Sequence, residues 1–173
     1  MSEARTLEIA STSVDDTRQI GARIGRLLRR GDVVLLNGDL GAGKTTLTQG
    51  IAAGLGVEEH VQSPTFTLVS EHDGHGGDGG SLRLYHLDLY RLRDAADLES
   101  FGYQQYLEPV DGVTVFEWPE RAGTWLPDGY LLIDFEFVGP AERRLRIEAI
   151  GGSELNVIGL VDLIQAANQI ARP

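Results

Sequence analysis

The chain has no cysteine, so neither disulfides nor cysteine-ligated metals enter its chemistry. Basic residues are scarce: Lys and Arg total 15 against 26 Asp and Glu, a net charge of −11. A free-standing nucleic-acid binder carries the opposite balance, so tight contact with RNA or DNA by this chain alone is not expected. No apolar run approaches the roughly 18 residues that would cross a membrane. The opening residues Met1-Ser2-Glu3-Ala4-Arg5 are polar with no apolar segment behind them, so no signal peptide is expected either. Together these point to a cytoplasmic protein. The remaining composition, 42% hydrophobic and 24% charged over 173 residues, suits a single globular domain, 1–173, with a substantial core.

Lysine is the rarest cation of all. Lys44 is the only one, and it stands in Gly38-Asp39-Leu40-Gly41-Ala42-Gly43-Lys44-Thr45, which is G-x-x-x-x-G-K-[ST], the phosphate-binding P-loop. Before it runs an apolar, β-branched stretch over 32–37 that reads as a buried parallel strand. After it, Leu47, Ile51 and Leu55 recur at the spacing of one helix face. Strand, loop and helix are the context the motif requires. Its glycines let the backbone curl so that N–H groups converge on a phosphate, and the helix start adds a positive dipole end. A compact ammonium at Lys44 reaches the β- and γ-phosphates, and the Thr45 hydroxyl can hold Mg²⁺.

Along the rest of the chain, 5–10 alternates as a half-buried strand. Ser13 caps a helix with Val14, Ile20, Ile24, Leu27 and Leu28 on its buried side, and Gly31 ends it. Residues 65–70 read as a strand after Pro64. At this junction Thr65 is open to two readings, a turn former or a switch residue sensing the γ-phosphate. Residues 73–80 form a glycine-rich connection. On the strand 82–91, His86 and Asp88 share one face; they are either the exposed side of an edge strand or a carboxylate aimed at the nucleotide. Short helices follow around 94–101 and 103–107. The apolar strand 112–117 ends in Glu117, a Walker-B-type position where a carboxylate meets Mg²⁺ or its waters. Residues 130–138 and 143–150 read as an antiparallel hairpin, with Arg143, Arg144 and Arg146 as a solvated face or, in the second reading, a phosphate or partner contact. Leu155, Ile158, Val161, Ile164 and Ile170 suggest a closing amphipathic helix.

Four stretches in this order resemble the bacterial TsaE (YjeE) family: residues 38–46, Ser63-Pro64-Thr65-Phe66-Thr67-Leu68-Val69, Tyr85-His86-Leu87-Asp88-Leu89-Tyr90-Arg91-Leu92, and Phe116-Glu117-Trp118-Pro119-Glu120-Arg121. The glycine-rich insertion at 73–80 and the tail after Gly152 have no match in the pattern. The resemblance implies an α/β P-loop NTPase fold, a mainly parallel central sheet flanked by helices with an antiparallel C-terminal extension. It implies a small ATPase needed for threonylcarbamoyladenosine in tRNA, working with the TsaD and TsaB proteins and meeting tRNA only through them. ATP would bind along Asp39, Leu40, Gly41, Ala42, Gly43, Lys44, Thr45 and Thr46. Thr45 and Glu117 would hold Mg²⁺. Thr65 would sit in a switch-like loop, Asp88 would orient water or hold a metal-bound water, and Trp118 would lie near the nucleotide. Two other readings of the same loop stay open: a small-molecule kinase, with Arg91-Leu92-Arg93 as a thin lid candidate, and a module that binds nucleotide without turning it over.

Overall fold

A strand that is apolar on both sides must be covered on both faces, and β2 (Val33–Asn37) is buried from Val33 to Leu36. In the structure, a computed structural model describing residues 6–64 and 66–151, this strand is the middle of a seven-stranded sheet. Its parallel neighbours are β5 (Gly112–Glu117) and β6 (Tyr130–Phe137), and β4 (Ser81–Asp88) runs parallel to β5. Antiparallel strands close both edges: β3 (Val69–His75) beside β4, and β7 (Arg143–Ile150) followed by β1 (Thr6–Ser11) beyond β6. The fold is the expected α/β P-loop arrangement with a parallel centre and an antiparallel C-terminal hairpin.

Two helices cover one face. In α1 (Val14–Leu27) the Ser13 hydroxyl accepts from the Asp16 N–H at 3.0 Å. The Asp16 carboxylate in turn takes the hydroxyl and N–H of Thr12, which hold its pKa below the usual carboxylate value. Ile20, Ile24 and Leu28 then pack with Leu47 and Ile51 of α2 (Lys44–Gly54) and with Leu55, its C-cap, over Val34, Leu36, Leu84 and Val115 of the sheet. The helices touch backbone to backbone. A Cβ added at Gly50 would lie 2.2 Å from the Arg18 carbonyl oxygen, and one at Gly21 2.4 Å from that of Leu47. The other face is covered by short pieces, α3 (Ala96–Glu99), α4 (Gln104–Leu107) and a 3-10 turn (Pro119–Ala122). There Leu98, Tyr103 and Tyr106 pack on Leu35, Leu87 and Phe116. No helix among the described residues is long and apolar enough to cross a membrane.

Four local expectations need correction. The strand read at 65–70 begins only at Val69, because Leu68 is held at φ 62° and turns the chain just before it. It then runs on through His75, so the first three residues of the glycine-rich segment are strand and 76–80 make the hairpin connection to β4. Val14 is 58% exposed, and in the first turn of α1 it is Thr17 that turns inward. The helix ends at Leu27, capped by Leu28, and Gly31 lies in the turn after it. The strand bearing His86 and Asp88 is no edge: β4 lies between β5 and β3, and both side chains are buried. The amphipathic helix expected after residue 152, and Thr65, lie outside the described residues.

Candidate functional site

In a parallel sheet, strands that all point one way deliver their final residues to one edge. β2, β4 and β5 bring Asn37, Asp88 and Glu117 to that edge, and the P-loop continues from β2. A cleft of about 420 Å³ opens there, lined by residues 40–46 together with Ser63, Asp88, Tyr90, Arg91, Glu117 and Trp118. Asp39 is not in the lining; its carbonyl oxygen accepts from the Lys44 ammonium at 2.9 Å.

The loop is shaped from its glycines and from what lies beneath. Gly43 takes φ 108°, which an L side chain rarely adopts, as it caps α2. A Cβ on Gly38 would lie 2.9 Å from that of Phe135 on β6, so the loop rests on that ring's stem. Arg143 also reaches across from β7, its Nε 3.2 Å from the Ala42 carbonyl oxygen. Only Arg144 and Arg146 keep the expected outward role, paired with Glu136 and Glu148.

Lys44 is 5% exposed. Its Nζ donates to the Gly38 and Asp39 carbonyls and stands 3.9 Å from the centre of the Trp118 ring. Burial pushes its pKa below the ordinary lysine value, against the opposing pull of Glu117, Glu120, Asp88 and Asp39. Trp118 is itself held at φ 59°, a left-handed conformation costing roughly 1–2 kcal/mol for an L residue. Its ring packs on Tyr90 with centroids 4.9 Å apart. The Trp-Pro bend after β5 thus swings the indole over the lysine.

Thr45 donates its hydroxyl to Glu117 Oε1 at 3.0 Å, across 72 residues of sequence. The same oxygen lies 3.0 Å from Nε2 of His86. Asp88 is tied differently: Oδ2 accepts from the Ser63 hydroxyl, and Oδ1 from the Tyr90 N–H at 3.0 Å. Arg91 stacks on Phe66, 4.7 Å from its centroid, at the rim. The structure therefore brings Lys44, Thr45, Asp88 and Glu117 into one cleft. His86, Arg143 and Phe135 are additions that sequence reasoning did not assign to the site. The signal for His86 was present, an imidazole between Leu84 and Asp88 on one strand face.

The chemistry on offer is a cradle for phosphate oxygens beside a pair of hard oxygen donors. Mg²⁺ takes one or two protein oxygens and keeps waters and phosphates for the rest, so the Thr45–Glu117 pair fits it. Among the described residues no group of three or more His, Asp or Glu forms a closed metal cage.

Residues 11–145 match the family model described as Threonylcarbamoyl adenosine biosynthesis protein TsaE. The tRNA threonylcarbamoyladenosine biosynthesis protein TsaE of Treponema pallidum is 38% identical, over 82% of this chain and 99% of that protein. Its Bacillus subtilis counterpart is 37% identical over 85% of this chain and 88% of its own length. The crystal structure of Bacillus subtilis YdiB superposes with a TM-score of 0.75 at 30% identity, covering 97% of this chain and 99% of that one.

Proposed function

This chain belongs to the TsaE family of threonylcarbamoyl adenosine biosynthesis proteins, and from that premise we propose that it is an ATPase whose hydrolysis cycle drives or resets the TsaD–TsaB threonylcarbamoyl-transfer complex. The observation that carries the reading is the convergence of Thr45 and Glu117 at 3.0 Å in the cleft that Lys44 also lines.

Phosphoryl transfer to water relies on positioning and charge neutralisation more than on covalent work by the protein. The amides of residues 40–46 bind the triphosphate, and Lys44 leaves the Gly38 and Asp39 carbonyls to reach its β- and γ-oxygens. Thr45 and Glu117 would hold Mg²⁺, which would supply charge neutralisation for the transferred phosphoryl group. Asp88, fixed by Ser63 and Tyr90, orients the attacking water or a water of the metal. Thr65 takes the γ-phosphate-sensing part. Arg91 lines the cleft but is engaged with Phe66, so a cation from TsaD or TsaB completes the site. The acidic surface leaves tRNA to those partners. The whole chain, 1–173, acts as one cytoplasmic domain.

Single-turnover ATP hydrolysis with and without the TsaD–TsaB pair tests this. We expect slow turnover alone, acceleration on adding the pair, and loss of turnover in Lys44→Ala, Asp88→Ala and Glu117→Ala. Full hydrolysis in Glu117→Ala, or phosphate delivered to a small-molecule acceptor instead of water, would overturn it. Reconstituted tRNA modification with this chain omitted, added or carrying Lys44→Ala tests the pathway role independently.

A further inference from the structure

Asp88 and Glu117 sit directly opposite each other in the β4–β5 ladder. Two carboxylates in register repel, and nothing in the ladder itself keeps them apart. Each must be drawn aside by other groups. For Asp88 these are Ser63 and the Tyr90 N–H. For Glu117 they are Thr45 and His86, both meeting Oε1 at 3.0 Å.

We propose that His86 is the positioning residue for Glu117: its Nε2–H fixes the carboxylate orientation in which Glu117 holds Mg²⁺. This rests on the reading above that Thr45 and Glu117 form the metal site. His86 is 0% exposed; Leu84 precedes it on that face of the sheet, and its ladder partners are Val115 of the apolar core and Ser70 of β3. Placing an imidazole there costs desolvation that a leucine would not incur. The ring does not recover this through bonds that hold the fold, because Nδ1 has no hydrogen-bond partner among the described residues. The bond to Glu117 is the one it makes. Since a carboxylate only accepts, the proton lies on Nε2. With two donors on Oε1, the plane of the carboxylate and the direction of its second oxygen are set. Thr45 has a second role as a metal ligand; His86 has none, so it is the constant member of the pair. Partners of this kind, one bond removed from a metal, change affinity by about 10–100-fold when removed.

The test is calorimetric binding of a non-hydrolysable ATP analogue to the full chain, in EDTA and across a Mg²⁺ series, for wild type, His86→Leu and His86→Gln. Leucine keeps the volume without a donor, and glutamine returns an N–H near the position of Nε2. We expect His86→Leu to need about 10-fold more Mg²⁺ for half-maximal tightening, with affinity in EDTA unchanged, and His86→Gln to recover most of the loss. A leucine variant that titrates with Mg²⁺ like wild type overturns the proposal, as does one that loses the same affinity in EDTA. If His86→Leu does not fold, His86→Asn, whose donor is one methylene short, takes its place with the same expectation against His86→Gln. A wild type whose affinity ignores Mg²⁺ sinks the metal site itself, and this inference with it.

Discussion

Lys44 bears a cost that its surroundings make measurable. The ammonium is buried among carbonyl oxygens and an indole face, and burial holds its pKa below the ordinary 10.5. A folded pKa below the unfolded one means the charged form is penalised by folding. The penalty is full below the folded pKa and fades as pH climbs from there toward 10.5. Lys44→Met carries no such penalty at any pH. Urea denaturation of both proteins should therefore show wild type gaining on the methionine variant as pH rises from neutral toward the ordinary lysine pKa. A stability gap constant across that window would contradict the burial cost. At this scale the sequence was legible where a residue's place is local: Lys44 and Thr45 reach the cleft through the loop motif, and Glu117 through its position at a strand's end. It was not legible where a role depends on register or on one torsion. His86 meets Glu117 across 31 residues only because β4 and β5 pair as they do. Trp118 covers Lys44 only because its φ is 59°.

Between α1 and α2 the backbones touch, and the helix carrying the P-loop is seated by that contact. Gly21 and Gly25 on one helix face Gly50 and Gly54 on the other. Both pairs are spaced by four, a repeat that was readable in the sequence but that helix propensity alone counts as a weakness. In the structure a methyl group at Gly50 would meet the Arg18 carbonyl, which is backbone and has nowhere to go. Gly50→Ala is expected to destabilise by about 1–3 kcal/mol, the usual cost of overpacking, despite alanine's better helix propensity. It should also weaken nucleotide affinity, because α2 begins at Lys44 and moves as a unit. Denaturant unfolding and nucleotide titration of the same variant check both; a variant as stable as wild type would mean the helices separate freely. Strand identity was easier to read than strand limits. Apolar runs marked β2 as a buried parallel strand and β5 as a strand ending in an acid, whereas the start of β3 depended on Leu68 turning left-handed, which its side chain does not announce.

Over the whole molecule, a net charge of −11 surrounds a cleft built to receive a polyanion. Two fields therefore act on an approaching nucleotide. The distant acids repel it, while Lys44, Arg91 and the loop amides attract it at short range. Salt separates them by distance. At about 0.01 M the screening length is about 30 Å, so the whole charge of a domain this size is felt; at 0.15 M it is about 8 Å, and only the groups at the cleft remain. The association rate for ATP should thus rise several-fold as ionic strength goes from about 0.01 to about 0.15 M, then fall at higher salt as the cleft's own cations are screened. Stopped-flow mixing with a fluorescent nucleotide reads this directly. A rate that falls steadily from the lowest salt would mean that the cations at the cleft govern approach from the outset, and the acidic surface would then have to be explained by its partners alone.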